Sequence, residues 1–144
     1  MVTIRVAENA DADLVEAYQK LTPQLSSSSP APSKRELSAI IKSDSATVLV
    51  AEDESGTILG SMTLVVFRIP TGVRAWIEDV VVDTEARGMG IGQALNEYAI
   101  KLAEQAGAKT IDLTSRPSRE SANRLYQRLG FVARETNVYR YSIV

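Results

Sequence analysis

The chain has 144 residues and a formal net charge of −2, from 16 basic and 18 acidic residues. This length predicts a single domain over residues 1–144, large enough to bury a core without disulfides or bound metal. The sequence contains no cysteine and no histidine. That excludes disulfides, thiolate metal sites and the commonest general base of enzymes. The near-balanced charge predicts no nucleic-acid partner. Without a signal peptide or a bilayer-length apolar run, we expect a cytoplasmic protein with no membrane partner.

The first half of the chain predicts one strand, two helices and then three strands. Apolar positions recur at helical spacing over Asp13–Leu21, and Ser33 with Glu36 forms a capping-box pattern that opens a second helix. Between them, the Ser- and Pro-rich stretch Gln24–Ser33 predicts a loop. The predicted strands are Thr3–Val6, Thr47–Glu52, Thr57–Phe67 and Arg74–Asp83, the last three being separated by turn residues.

The second half predicts a glycine loop, a helix, a strand, a second helix and two closing strands. The first helix begins near Ile91 and stops at Gly107, and the second begins near Pro117 and stops at Gly130. The predicted strands are Lys109–Thr114, Phe131–Ala133 and Val138–Ile143. The order β-α-α-β-β-β-α-β-α-β-β predicts an α+β fold around a mixed sheet.

Three alternating glycines, Gly88, Gly90 and Gly92, follow a buried-strand pattern and precede a helical one. Such a loop places backbone N–H groups at the positive end of a helix, where no side chain blocks an anion. Arg87 adds a positive charge beside them. The alternative is a plain strand-to-helix turn. Three glycines, an arginine and an amphipathic helix together favour a phosphate site.

The spacing of the glycines narrows the choice of phosphate ligand. A P-loop requires Lys and then Ser or Thr after the glycines, whereas Gln93 follows here. A dinucleotide-binding turn has the pattern G-x-G-x-x-G, whereas this loop reads G-x-G-x-G. Both differences disfavour an unrelated module for ATP or NAD.

The segment Ile77–Gly92 resembles motif A of the GNAT N-acetyltransferase superfamily, whose signature is Arg/Gln-x-x-Gly-x-Gly/Ala. Arg87–Gly92 fits that signature without a gap, and Asn123–Phe131 resembles motif B, which commonly ends in Tyr-x-Lys/Arg-x-Gly-Phe. The resemblance covers essentially the whole chain. It implies a mostly antiparallel central sheet, splayed between its fourth and fifth strands and flanked by about four helices. Coenzyme A would lie in the splay, between Trp76–Asp83 and Lys109–Thr114.

The resemblance also implies acetyl-coenzyme A as the co-substrate, and the lack of cysteine and histidine predicts no metal. Peptide groups of the valine-rich strand would pair with the pantetheine arm, and the glycine loop would hold the pyrophosphate. Many members carry Asn seven positions before the motif B tyrosine, where this chain has Arg119, and either Arg119 or Asn123 could take that role. The implied contacts are Val80, Val81, Val82, Arg87, Gly88, Met89, Gly90, Ile91, Gly92, Gln93, Arg119, Asn123 and Tyr126.

Tyr126 and Glu78 are the candidate catalytic residues. The family places a tyrosine at the position of Tyr126 facing the thioester sulfur, which makes it the candidate general acid. The alternative is a core tyrosine on the apolar side of its helix. Glu78 is the candidate general base, directly or through water, with Asp79 as the alternative base. Two adjacent acids on a regular strand point to opposite faces unless a bulge intervenes. An ion pair of Glu78 with Arg74 or Arg68 is the non-catalytic interpretation.

Together these features predict an N-acetyltransferase that moves the acetyl group from acetyl-coenzyme A to a primary amine by direct transfer in a ternary complex. A small-molecule acceptor is favoured over a protein, and the family builds the acceptor side from the segments that correspond to Tyr18–Leu37 and Ala133–Tyr141. The alternative function is a non-catalytic acyl-coenzyme A binding or sensing domain on the same fold. A monomer and a homodimer are both consistent with the sequence.

Overall fold

A five-stranded sheet and three of the four α-helices lie in residues Met1–Leu113, and the fourth helix lies in Thr114–Val144, the two units into which the chain divides. The computed structural model describes every residue of the chain. The strands are β1 Thr3–Val6, β2 Ala46–Glu52, β3 Ile58–Ile69, β4 Gly72–Val82 and β5 Thr110–Asp112, and the helices are α1 Ala12–Leu25, α2 Lys34–Lys42, α3 Ile91–Gln105 and α4 Glu120–Leu129.

The strands follow one another across the sheet in chain order, β1-β2-β3-β4-β5. The first three pairings are antiparallel and the last, β4 with β5, is parallel. A mixed sheet in a chain with four α-helices confirms the predicted α+β fold class. The parallel pairing requires a crossover, which α3 supplies.

Hydrogen bonding between β4 and β5 stops at the pair Trp76–Asp112, although β4 continues to Val82. The predicted splay between the fourth and fifth strands is therefore confirmed. β5 is shorter than the predicted strand Lys109–Thr114 because it keeps a partner only over Thr110–Asp112. The rest of β4, Ile77–Val82, has no strand along that edge.

Successive side chains of β2 point to opposite faces of the sheet, and both faces are buried. Val48 and Val50 belong to a buried cluster with apolar residues of α1 and α2, which include Leu14, Leu21 and Leu37. Leu49 and Ala51, of opposite parity, are fully buried on the other face. Since α3 also contacts β2, β3 and β4, helices cover both faces of the sheet.

A bulge interrupts the pairing of β3 with β4. Thr63 pairs with Glu78 and Ser61 pairs with Val81, so two residues of β4 stand opposite Met62 alone. The first of those two, Asp79, has φ of 54° and is the one non-glycine residue with a positive φ. The extra residue changes which face the following side chains point to, and Val81 consequently joins the α1–α2 cluster.

Side chains cap the first turns of α1 and α2 but not that of α3. Asp11 accepts a hydrogen bond from Leu14 N at 2.9 Å and caps α1. Ser33 and Glu36 form the predicted capping box, with bonds of 3.1 and 3.0 Å, and cap α2. The residue before α3 is Gly90, in the left-handed conformation, and no side chain caps that helix.

The segment predicted as a loop from Gln24 begins later in the structure, because α1 runs through Pro23 to Leu25. Pro23 lies in the last turn of α1, where a missing N–H costs only one hydrogen bond. Burial of Leu21 and Thr22 on the preceding turn compensates for that loss. Packing thus lets the helix continue past Pro23, a residue type that usually ends a helix.

The two predicted closing strands, Phe131–Ala133 and Val138–Ile143, are wrong: residues 131–144 contain no strand. Their alternating apolar pattern suits a pleated surface, but a strand also requires a hydrogen-bonded neighbour. No strand pairs with this segment. After the half-buried Phe131, its apolar side chains are exposed instead, Val132 to 82% and Tyr141 to 91%.

Candidate functional site

The glycine loop is an exposed bridge between two buried residues. Arg87, Gly88, Met89 and Gly90 are exposed, whereas Ala86 before them and Ile91 after them are 4% and 2% exposed. Gly88 and Gly90 have φ of 83° and 76°, and a Cβ added at either would meet nothing within 4 Å. Because no side chain caps α3, its first N–H groups, including those of Ile91, Gly92 and Gln93, are available to an external anion.

Gly60 on β3 fixes the start of α3. A Cβ at Gly60 would lie 3.0 Å from Ile91 Cγ2 and 3.1 Å from the carbonyl oxygen of Val81. A side chain at this position would force the helix or the strand to move by a few tenths of an ångström. The first residue of α3 is therefore held against the sheet beside the end of β4.

Asp83, directly after β4, fixes the other end of the loop. Its carboxylate is 2% exposed and lies 2.9 Å from Lys20 Nζ of α1, while its other oxygen accepts from Glu85 N at 3.1 Å. The Lys20 ammonium and the Glu85 N–H hold the pKa of this carboxyl below its usual range. Thr84 N donates to Gln24 Oε1 at 2.9 Å. Sequence reasoning missed these contacts because their partners on α1 are distant in the chain.

The valines of β4 contribute mainly through their backbone. Val81 is buried in the α1–α2 cluster, and Val80 and Val82 are half-buried. Along the edge without a strand, peptide N–H and C=O groups of Ile77–Val82 have no ladder partner. Such an edge can pair with an extended ligand as a strand would.

Glu78 has a hydrogen-bond partner that the sequence did not indicate. The indole N–H of Trp76 donates to Glu78 Oε2 at 2.6 Å, since residues two apart on a strand share a face. The alternative interpretation of Glu78, an ion pair with Arg74 or Arg68, is not formed: Arg74 donates to Thr71 Oγ1, and neither arginine pairs with an acid. Glu78 is exposed, and Oε1 is free to accept a proton.

Asp79 lies near the hydroxyl of a half-buried tyrosine, Tyr18. Ser61 Oγ donates to Leu49 O at 2.9 Å, so at 2.6 Å it accepts the hydrogen of Tyr18. Burial, with a smaller contribution from the Asp79 charge, raises the pKa of Tyr18, and the Ser61 hydrogen bond opposes the shift. Asp79 and Tyr18 of α1 therefore lie close enough for their charges to interact within the Met1–Leu113 unit.

Three predicted residues lie in the Thr114–Val144 unit. Tyr126 stacks edge-to-face on Phe131, with ring centroids 5.7 Å apart. Burial raises the pKa of Tyr126, and the positive charge of Arg119 opposes that effect. Asn123 Nδ2 donates to the carbonyl oxygens of Arg116 and Arg119 at 2.9 and 2.8 Å. Both amide hydrogens of Asn123 therefore hold the start of α4, and only its Oδ1 remains for a ligand.

The sequence profile of the Acetyltransferase (GNAT) family matches residues 13–131. The chain therefore belongs to the GNAT acetyltransferase family. The mycothiol acetyltransferase of Propionibacterium freudenreichii subsp. shermanii is 33% identical over 95 residues, which make up 66% of this chain and 30% of that protein. The match thus spans less than a third of the length of that curated relative.

Solved structures share the fold over nearly the whole chain. An acetyltransferase of Trypanosoma brucei superposes with a TM-score of 0.80 at 28% identity, covering 99% of this chain and 100% of that one. An aminoglycoside acetyltransferase from an uncultured soil metagenomic sample gives a TM-score of 0.85, covering 99% of this chain and 96% of that one. At 20% identity the second likeness shows the fold alone.

No three acidic side chains are gathered closely enough to hold a metal ion. None of the four helices has the length and apolarity needed to cross a membrane.

Proposed function

We propose that this protein is an N-acetyltransferase that moves the acetyl group of acetyl-coenzyme A to the primary amine of a small molecule, by direct transfer in a ternary complex. The observation that carries the proposal is the uncapped start of α3, with two left-handed glycines, beside the unpaired edge of β4. The proposal retains the single domain, the cytoplasmic location and the monomer or homodimer expected from the sequence.

The glycine loop fits a pyrophosphate. The open space beside Gly88 and Gly90 lets an anion approach the backbone, and the uncapped first turn of α3 offers N–H groups and a positive dipole end. Arg87 is exposed next to these groups. Asp11 and Ser33 occupy the corresponding positions at α1 and α2, so among the three helices of the Met1–Leu113 unit α3 is the one whose first turn no side chain caps.

The β4 edge fits the pantetheine arm, whose amide groups can exchange hydrogen bonds with the free peptide groups around Val80 and Val82. Bound acetyl-coenzyme A supplies the acetyl group as an activated thioester. The direction of β4, which ends beside the glycine loop, supports a ligand that continues from one to the other. This continuity distinguishes the proposal from a site for a lone phosphate.

Glu78 is proposed as the general base. The Trp76 hydrogen bond fixes one carboxylate oxygen and leaves the other free to take a proton from the acceptor ammonium, directly or through water. Transfer requires a neutral amine, and an alkyl amine with pKa of about 10 is mostly protonated at neutral pH. Asp79 remains the alternative base, and its nearness to Tyr18 supports a role on the acceptor side.

Tyr126 is proposed as the general acid that protonates the departing sulfur. Its raised pKa keeps the phenol protonated at neutral pH, as a proton donor must be. Arg119 and Asn123 remain candidate ligand contacts. Both amide hydrogens of Asn123 already bond to carbonyl oxygens at the start of α4. Arg119 is therefore the favoured contact for a phosphate.

The test is release of free thiol when the protein is mixed with acetyl-coenzyme A and a panel of small amines. Tyr126→Phe is expected to lower kcat by about 10²–10⁴-fold, the usual contribution of a positioned acid, while coenzyme A binding by calorimetry is unchanged. Tyr98→Phe on α3 makes the same chemical change in a tyrosine without a proposed role and serves as control. Coenzyme A binding without turnover on any amine would instead support the sensing domain.

Glu78→Gln tests the base. It is expected to slow turnover most at neutral pH and to recover as the pH approaches the pKa of the acceptor amine, because the free amine then needs no base. Asp79→Asn is the parallel variant. A pH–rate profile of Glu78→Gln that parallels the wild type would remove Glu78 from the mechanism.

A further inference from the structure

We infer that Lys20 and Gln24 of α1 position the glycine loop and thereby set the affinity of the protein for coenzyme A. The inference rests on the proposed function, because it takes the loop as the pyrophosphate site. Neither residue lies in the loop or in a family motif quoted above. Each acts through a residue just after β4, which makes both of them positioning residues.

Because the loop itself is exposed, its conformation is fixed mainly by the residues at its two ends. Its downstream end is Ile91, the first residue of a 15-residue helix that rests against Gly60. Its upstream end is a single 3₁₀ turn, Thr84–Ala86. One short turn has too few hydrogen bonds to hold its own geometry, so the upstream end depends on outside contacts.

Residues of α1 provide those contacts. Lys20 Nζ lies 2.9 Å from the buried carboxylate of Asp83, which in turn accepts from Glu85 N inside the 3₁₀ turn. Gln24 Oε1 accepts from Thr84 N at 2.9 Å. Lys20 and Gln24 are four residues apart, so they share a face of the helix. One helix face therefore fixes two consecutive residues at the start of the turn.

The conformational entropy of the glycine loop links these contacts to the affinity for coenzyme A. Gly88 and Gly90 give the loop access to many backbone conformations, and a loop that is not held in place must be ordered when the ligand binds. That ordering weakens affinity. Loss of either α1 contact is expected to weaken coenzyme A binding about tenfold, the penalty of ordering roughly one backbone residue.

The experiment measures the Kd of coenzyme A by calorimetry at a temperature where circular dichroism shows every variant to be folded. Gln24→Ala removes the hydrogen bond to Thr84 N at a half-buried position. Lys20→Met combined with Asp83→Asn removes the ion pair without leaving a buried unpaired charge. Each is expected to raise the Kd about tenfold, whereas Lys20→Arg, which keeps the charge, is expected to stay near the wild type.

The matched control is Arg5→Met, which deletes the 3.1 Å ion pair with Glu52 far along the chain from the loop and should leave the Kd unchanged. In turnover, the α1 variants should raise KM for acetyl-coenzyme A far more than KM for S-acetylpantetheine, which lacks the pyrophosphate.

Unchanged Kd values in both α1 variants, or equal losses with acetyl-coenzyme A and S-acetylpantetheine, would overturn the inference and leave the proposed function standing. A wild-type protein that does not bind coenzyme A would overturn both.

Discussion

At the residue scale, Asp79 shows how a single backbone conformation shapes the site. Its φ of 54° lies in the left-handed region, which Asp tolerates better than most residues because its short side chain bonds locally. The conformation creates the bulge opposite Met62 and turns the rest of β4. An acidic residue here thus has a conformational role as well as a chemical one.

We predict that Asp79→Val destabilises the fold by about 1–2 kcal/mol, the usual strain of a left-handed residue with a Cβ, increased by β-branching. Asp79→Gly should cost less, because glycine adopts this φ freely. Urea unfolding of the two variants measures the difference. Equal destabilisation by Val and Gly would mean that the carboxylate, and not the backbone, matters at this position.

The ion pair of Lys20 with Asp83 predicts a pH dependence. The pKa of Asp83 is lowered from its ordinary value of 3.8, so its stabilisation is present above that value and is lost as the pH falls through the folded-state pKa. The pKa of Lys20 is raised from 10.5, so its contribution is present below that value and is lost as the pH rises through the folded-state pKa. Both charges are in place at neutral pH.

Asp83→Asn should therefore lower the free energy of unfolding at pH 7, and the difference from wild type should shrink as the pH falls below 3.8. Urea unfolding at pH 3, 5 and 7 measures this. Asp44→Asn, an exposed acid without an ion-pair partner, is the control and should have little effect. A difference for Asp83→Asn that is constant with pH would contradict the assignment.

At the residue scale, the sequence predicts features whose residues are neighbours in the chain and misses contacts between distant segments. The glycine loop and the acidic pair could be found because their residues are neighbours in the chain. Adjacent acids were expected on opposite faces unless a bulge intervened, and only the structure located the bulge at Asp79. The contact of Lys20 with Asp83 had no signal, since nothing in either segment specifies the other.

At the scale of elements, the helices differ in whether the chain completes their first turn. The capping box of α2 was predicted correctly because Ser33 and Glu36 lie within one turn of each other. The two closing strands were predicted wrongly because pairing depends on a distant partner that alternation does not encode. Likewise, the helical pattern predicts a helix only as far as Leu21, whereas packing of Leu21 lets α1 continue through Pro23 to Leu25.

Ser33→Ala is predicted to destabilise the protein by about 1 kcal/mol, because it leaves Glu36 N without its acceptor. Ser38→Ala, within the same helix, makes an identical chemical change where serine caps nothing and should be neutral or slightly stabilising. Thermal or urea unfolding distinguishes the two variants. Equal effects would show that the cap does not stabilise α2.

At the scale of the whole molecule, binding and stability are linked. If coenzyme A binds the folded state alone, a concentration 100-fold above Kd adds about 2.7 kcal/mol to the free energy of unfolding. For a chain of this size each kcal/mol raises Tm by about 2–4 °C. Differential scanning fluorimetry with coenzyme A should show this rise, and ATP at the same concentration should produce a smaller one.

The unpaired edge of β4 also has a consequence for how the protein behaves when no ligand is bound. A free strand edge is a template on which other chains can add, and β4 presents one over Ile77–Val82. Under the proposed function the co-substrate covers that edge, so it also protects the protein against self-association. We expect light scattering to show slower aggregation with coenzyme A present, which would make a well-supplied acyl donor a condition for keeping this protein in solution.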